Sequence, residues 1–206
     1  AAADWIGSNT RWFAPCAASL DLAAYLSGAR EKARCAVAEA GLAGAAPNAH
    51  PFRPFPVLRP MQAACADIPL SDGPMLAVIE DETGAGKTEA AFILAQRMLA
   101  AGKGRGLFLA LPTMATADAM FTRASDALTA LFEGAPTLTL AHGRAGLSAK
   151  LRDLVDHRRV MPEDPGCTEW LAESRRRALL ADRGVGTIDQ ALLAVLPVKW
   201  QTLRHY

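Results

Sequence analysis

The stretch Asp81-Glu82-Thr83-Gly84-Ala85-Gly86-Lys87-Thr88 constrains this chain most, together with what flanks it. An apolar run, Pro74-Met75-Leu76-Ala77-Val78-Ile79, enters it, and a helix-like run, Glu89 to Leu99, leaves it. Apolar strand, glycine-rich turn and helix is the context in which Gly-Lys-Thr forms a phosphate-binding loop. The glycines let backbone N–H groups curl round an anion without a Cβ clash. The helix N-terminus adds unpaired donors and a partial positive charge. In that setting the turn through Gly84 and Gly86 is expected to wrap an anion. Lys87 is expected to reach the β- and γ-phosphates, and the Thr88 hydroxyl to ligate Mg²⁺, a hard cation that takes oxygen.

One position departs from the general pattern, which places glycine where Asp81 stands. The loop resembles that of superfamily 2 helicases, Ala-Pro-Thr-Gly-x-Gly-Lys-Thr, with Asp81-Glu82 in place of Ala-Pro. The bland alternative, an ordinary glycine-rich turn between strand and helix, is weakened because both flanks have the right character.

Composition narrows the classes. At 206 residues and 51% apolar, the chain buries a globular core, and one domain with appendages is the default. A net charge of +1 carries no global nucleic-acid signature, so any such site is a local patch. Cys16, Cys35, Cys65 and Cys167 are scattered without a Cys-x-x-Cys pair and are expected to be small buried hydrophobes in a reducing cytosol. No apolar run is long enough to cross a bilayer, and the opening lacks the basic start of a signal peptide. The expectation is a cytoplasmic protein with no membrane partner.

Along the chain, Trp5, Trp12 and Phe13 suggest a packed helix end, and Asp4 alone reads as an N-cap or solvated carboxylate. Leu22, Leu26, Ala29, Ala33, Val37 and Ala40 form one apolar stripe of a helix over 19–42, with Ser19 as N-cap and Gly41 and Gly44 as its stop. Prolines 47, 51, 54, 56 and 60 predict an extended tether and a domain boundary. Gln62 follows it; a glutamine there either reads adenine with its donor–acceptor amide or faces solvent. Leu107 to Leu111 and Thr137 to Ala141 read as buried parallel strands. Thr113 or Thr116 caps a helix running towards Leu131. His142, at a strand end, reads as a structural hydrogen-bonder. Residues 144–183 read as a polar, irregular insertion in which Arg175-Arg176-Arg177 either touch phosphate or form a solvated face. Gly184 to Gln190 is a strand-end turn into the helix of Ala191 to Leu196, which Pro197 closes.

The order Gln62, Gly84 to Ala91, Leu111-Pro112-Thr113-Met114-Ala115-Thr116-Ala117, Leu140 to Gly143 and Gly184-Val185-Gly186-Thr187-Ile188-Asp189-Gln190-Ala191-Leu192 resembles the CRISPR-associated helicase–nucleases of type I interference systems. The resemblance covers essentially the whole chain. It implies an α/β fold, a P-loop RecA-like parallel sheet with flanking helices, preceded by a short helical segment. It divides the chain into an HD-nuclease tail (1–42), a Pro-rich linker with the glutamine (43–70) and an incomplete first RecA-like domain (71–206). It implies an ATP-driven 3′-to-5′ translocase on single-stranded DNA, recruited by an RNA-guided surveillance complex, with a nuclease that uses transition-metal ions. On that basis Gln62 reads adenine, Thr83 to Thr88 hold ATP and Mg²⁺, and Pro112, Thr113, Thr116, Gly186 and Thr187 line the DNA track. Asp4 would be the last carboxylate of the HD metal site.

ATP hydrolysis also needs an acidic pair after a second apolar strand. Glu80-Asp81 runs straight into the loop, and Glu163-Asp164 follows no strand. The second RecA-like domain and the HD histidines are also missing, so the segment is expected to be inactive without the remainder of the helicase–nuclease chain. Two rivals stay open: another P-loop enzyme such as a small kinase, and a non-catalytic nucleotide-binding or interaction module.

Overall fold

The computed structural model describes residues 2–15, 21–143, 149–161, 166–174 and 177–195. Helix α1 (Ala2–Gly7) and helix α2 (Leu22–Glu39) precede an extended stretch. Helix α3 (Pro60–Asp67), helix α4 (Lys87–Ala100) and strand β1 (Leu107–Leu111) follow. Next come helix α5 (Met114–Ala130), strand β2 (Leu138–Ala141), helix α6 (Ala149–Val160) and the short helix α7 (Glu169–Ala172). A 3₁₀ turn (Arg177–Leu180), strand β3 (Arg183–Thr187) and helix α8 (Ile188–Val195) complete the described elements.

Among the described residues the sheet is three-stranded and parallel, in the order β1-β3-β2. Its centre is therefore the last strand in sequence, Arg183-Gly184-Val185-Gly186-Thr187. Glycine is a poor strand former, so propensity alone makes this segment only a turn into a helix. Packing explains the choice. A Cβ on Gly184 would lie 2.5 Å from Phe108 Cδ2, and one on Gly186 would lie 2.1 Å from the Ala141 carbonyl oxygen. The ring of Phe108 lies across both glycines, and β2 closes against the second.

Leu138, Leu140 and Val185 enter one core with Phe92, Leu99, Phe121, Leu128, Leu131, Trp170 and Leu171. A second cluster, Cys65, Ala90, Ile93 and Leu94, joins α3 to α4. Thr113 and Thr116 cap α5 reciprocally: Thr116 N donates to Thr113 Oγ1 and Thr113 N to Thr116 Oγ1, each at 3.2 Å. The stop of α2 is as expected, with Gly41 left-handed at φ 78° and Leu42 N donating to the Val37 carbonyl at 2.9 Å.

Several expectations are corrected. The run Pro74 to Ile79 forms no strand and no other regular element, with Leu76 90% and Val78 74% exposed, while Met75 and Ile79 pack on the second cluster. Among the described residues no strand pairs with it, and β1 pairs only with β3. The described residues of 144–183 are not an irregular insertion: Leu151, Cys167, Trp170 and Leu171 supply buried core. Asp21 caps α2, accepting from Ala23 N and Ala24 N; Ser19 lies outside the described residues, as do Cys16, Glu163, Asp164 and Pro197. Asp4 sits exposed inside the first turn of α1, so of its two readings the solvated carboxylate holds and the N-cap does not. The stripe of α2 is buried only towards its end, since Leu22 and Leu26 are exposed. Cys35 is exposed, whereas Cys65 and Cys167 are buried. Burial pushes the Cys167 thiol up to about 12 and raises that of Cys65.

The Pro-rich stretch is pinned at several points. Ala45 N donates to Asp182 Oδ1 at 2.9 Å, and Asn48 N to the Leu131 carbonyl at 2.9 Å. Buried Gln96 donates to the Asn48 carbonyl at 2.7 Å. Asp182 also takes Thr137 N (2.8 Å) and the Thr137 hydroxyl (3.0 Å) on Oδ2, tying the starts of β2 and β3 to this stretch. Next to it Arg183, 1% exposed, donates to the Pro136 carbonyl at 2.8 Å, and burial lowers its pKa to about 10. At the chain's start, Trp12 Nε1 donates to Glu39 Oε2 at 2.8 Å and its ring packs 6.2 Å from Trp170. Arg11 pairs with both Glu39 and Glu169.

Candidate phosphate loop and nucleic-acid edge

The loop is built where a segment without regular secondary structure turns into α4. Gly84 and Gly86 adopt φ 83° and 91°, the left-handed region that a side chain resists. Gly86 is the residue before the first turn of α4, so Lys87 and Thr88 open the helix. The Lys87 ammonium donates to the Asp81 and Glu82 carbonyls at 2.7 Å each. The Ala85 N–H donates to the same Glu82 carbonyl at 3.2 Å. Donors suited to an anion thus converge on one side of the turn. Thr83 is exposed; Ala85, Gly86, Lys87 and Thr88 are half-buried.

Gln62 lies against this loop. It is fully buried; its Oε1 accepts from Arg59 N at 3.1 Å, closing the first turn of α3, and its Nε2 donates to the Gly86 carbonyl at 3.4 Å. Arg59 Nη1 donates to the Gly84 carbonyl at 3.0 Å. Sequence reasoning passed over Arg59, although its place three residues before the glutamine, at a proline-started helix, was the available signal.

A second group forms where the three strands end. Leu111 is level with Thr187, and Ala110 and Ala141 are both level with Gly186. Pro112-Thr113, His142-Gly143 and Thr187 therefore leave the sheet at one edge. The Thr113–Thr116 pair is exposed there, while Thr187 is 5% exposed. His142, 2% exposed, meets Asp118 of α5 through Nε2 at 3.0 Å, which ties β2 to α5. Arg177 lies over the Trp170 ring at 4.6 Å and pairs with Glu173, which is a structural use; Arg175 and Arg176 lie outside the described residues.

Asp4 is exposed, and no group of three or more His, Cys, Asp or Glu among the described residues could hold a metal ion. One carboxylate does not make a transition-metal site, so the described residues do not fit that group by themselves. Among the described residues no helix is long and apolar enough to cross a membrane.

Parallel sheet, flanking helices and a glycine-rich loop opening α4 define a P-loop α/β domain of the RecA-like kind. No family profile matches the chain. It is 45% identical over 139 residues to the CRISPR-associated endonuclease/helicase Cas3 of Thermus thermophilus, covering 64% of this chain and 15% of that protein. It is 36% identical over 151 residues to the Cas3 of Escherichia coli, covering 71% of this chain and 17% of that protein. The crystal structure of T. fusca Cas3 with ATP matches with a TM-score of 0.81 at 35% identity, over 98% of this chain and 23% of that one. The chain belongs to the CRISPR-associated helicase–nuclease family, Cas3, and spans less than a fifth of the length of these two curated relatives.

Proposed function

We propose that this chain supplies the nucleotide-binding loop and part of the DNA track of an ATP-driven single-stranded-DNA translocase, coupled to a metal-dependent nuclease in CRISPR antiviral interference. The observation that carries the reading is the loop itself: two left-handed glycines, the Ala85 N–H and the Lys87 ammonium gathered at the start of α4, in a chain whose fold matches a Cas3 crystallised with ATP. Thr83 to Thr88 wrap the triphosphate, and Lys87 exchanges the Asp81 and Glu82 carbonyls for phosphate oxygens. Half-buried Thr88 fits Mg²⁺, because a hydroxyl, phosphate oxygens and water make the all-oxygen set this ion takes; bound there, the ion would neutralise phosphate charge. Gln62 reads the adenine edge with the spare hydrogen of its Nε2 and the spare lone pair of its Oε1, its bonds to Gly86 and Arg59 kept. Pro112, Thr113, Thr116, Gly186 and Thr187 contact the DNA backbone without reading sequence, which suits a motor that steps over any sequence. Asp4 joins a metal site only with ligands from elsewhere. A surveillance complex as recruiter, the remainder of the helicase–nuclease as partner, and a cytoplasmic location belong to the same reading.

The test is equilibrium binding of a fluorescent ATP analogue with Mg²⁺ to the chain and to its Lys87→Ala variant. Binding that the variant loses supports the reading; equal binding by the variant refutes it. Turnover is expected to be absent, since Glu80-Asp81 leads into the loop and offers no separate acidic strand end. The same feature favours a second reading, a module that binds nucleotide without hydrolysing it. ATP hydrolysis by the chain that disappears on Lys87→Ala would exclude that module.

A further inference from the structure

We propose that Arg59 is a positioning residue of the phosphate loop. With Gln62 it fixes the Gly84–Gly86 half, so that Asp81–Thr83 is the half that yields when Lys87 turns to phosphate. The proposal rests on the nucleotide-binding reading above.

The two halves of the loop are held by different groups. Arg59 Nη1 takes the Gly84 carbonyl at 3.0 Å, and Gln62 Nε2 takes the Gly86 carbonyl at 3.4 Å. These are the two left-handed residues of the turn. A Cβ on Gly86 would lie 2.4 Å from Gln62 Nε2, so the loop backbone is pressed against α3 and not merely near it. In a trans, planar peptide the N–H points opposite to the preceding carbonyl. Drawing the Gly84 carbonyl towards α3 therefore aims the Ala85 N–H away from it, as an anion cradle requires; the Gly86 carbonyl also accepts from Ala90 N at 3.0 Å, so α4 and Gln62 together set the Lys87 N–H. Arg59 and Gln62 are themselves joined through the Arg59 N to Gln62 Oε1 bond of 3.1 Å, which makes the brace one unit at the start of α3.

The other half has no such brace. Asp81, Glu82 and Thr83 are exposed. The Asp81 and Glu82 carbonyls are held by the Lys87 ammonium at 2.7 Å each, and the Glu82 carbonyl also by Ala85 N at 3.2 Å. Those are the donors that a phosphate would claim. Upstream, residues 74–80 are in no strand. An arriving phosphate therefore competes with the Asp81 and Glu82 carbonyls while the α3 brace keeps the glycine half in place.

The test combines binding and hydrogen exchange on the full chain, using the Mg²⁺ complex of a fluorescent ATP analogue with wild type, Arg59→Ala, Arg59→Lys and Lys87→Ala. Arg59→Ala is expected to weaken binding about fivefold, the worth of one net hydrogen bond, and Arg59→Lys to restore it. Without nucleotide, Arg59→Ala should speed amide exchange over 84–90, and Lys87→Ala should speed it over 74–83, with thermal midpoints unchanged. Wild-type binding and exchange in Arg59→Ala, or failure of lysine to restore binding, overturns the proposal. If Lys87→Ala still abolishes binding, the nucleotide reading survives that loss. If Lys87→Ala binds normally, the nucleotide reading falls and the proposal with it.

Discussion

The two glycines of the central strand should differ sharply when each receives a methyl group. A Cβ at Gly186 meets a backbone atom, the Ala141 carbonyl oxygen at 2.1 Å, as well as Phe108 Cζ at 2.8 Å. That oxygen belongs to the neighbouring strand and cannot move without parting β2 from β3. A Cβ at Gly184 meets Phe108 Cδ2 at 2.5 Å and Cε2 at 3.0 Å, with Thr139 Oγ1 further off at 3.6 Å. A ring edge can turn away. Neither glycine has a positive φ, so backbone strain adds nothing. Overpacking costs about 1–3 kcal/mol, and replacing glycine returns about 0.4–1 kcal/mol through the unfolded chain. Gly186→Ala, at the top of the first range, should lose about 2 kcal/mol net. For a chain of this length that lowers the melting midpoint by about 4–8 °C. Gly184→Ala should lose about 1 kcal/mol or less. The decisive assay is urea unfolding of both variants in wild-type and Phe108→Ala backgrounds, with Gly73→Ala, whose Cβ would meet nothing within 4 Å, as control. Removing the ring should make Gly184→Ala neutral or stabilising and leave most of the Gly186→Ala cost. Equal costs for both glycines, or equal rescue by Phe108→Ala, would refute the reasoning.

Two further outcomes are expected. Asp182→Ala strands the N–H groups of Ala45 and Thr137 and the Thr137 hydroxyl, so chemical denaturation should show a loss of about 3 kcal/mol or more; a loss below about 1 kcal/mol would show that water replaces the carboxylate. The hydrogen bond from Arg11, and then the charge of Arg159, hold Glu169 below the usual carboxylate range. A lowered folded-state pKa gives stability that is present above the ordinary carboxylate pKa and lost as pH falls through the lower folded value. Because these pairs are exposed, the acid loss should be about 0.5 kcal/mol and smaller in high salt. Glu169→Gln should flatten that limb of the stability–pH curve, and an unchanged limb would assign it to other groups.

Much of the loop was legible because its chemistry is local. Glycines at 84 and 86 followed by Lys87 and Thr88 can only turn and then start a helix, and both ends of that turn lie within a few residues. The Thr113–Thr116 cap and the Gly41 stop are local in the same way. The sheet was only half legible. Periodicity found β1 and β2, whose apolar runs announce burial. It also promoted 74–79 to a strand, because an apolar run carries no information about whether a ladder partner exists. Gly184 to Thr187 was passed over as the central strand because propensity scores a residue in isolation. Here glycine is chosen for the Phe108 ring and the Ala141 carbonyl, groups far away in sequence.

The sequence by itself determined the glycine turn into α4, the Thr113–Thr116 cap, the Gly41 stop and the family, since each rests on residues adjacent in the chain or on their order along it. Only the tertiary structure decided which described strand is central, that Leu151, Cys167, Trp170 and Leu171 feed the core, that Asp182 knots three segments, and that Arg59 and Gln62 grip the loop. Those features depend on groups brought together from distant positions, where a missing Cβ or a single buried carboxylate has meaning only against the neighbour it faces.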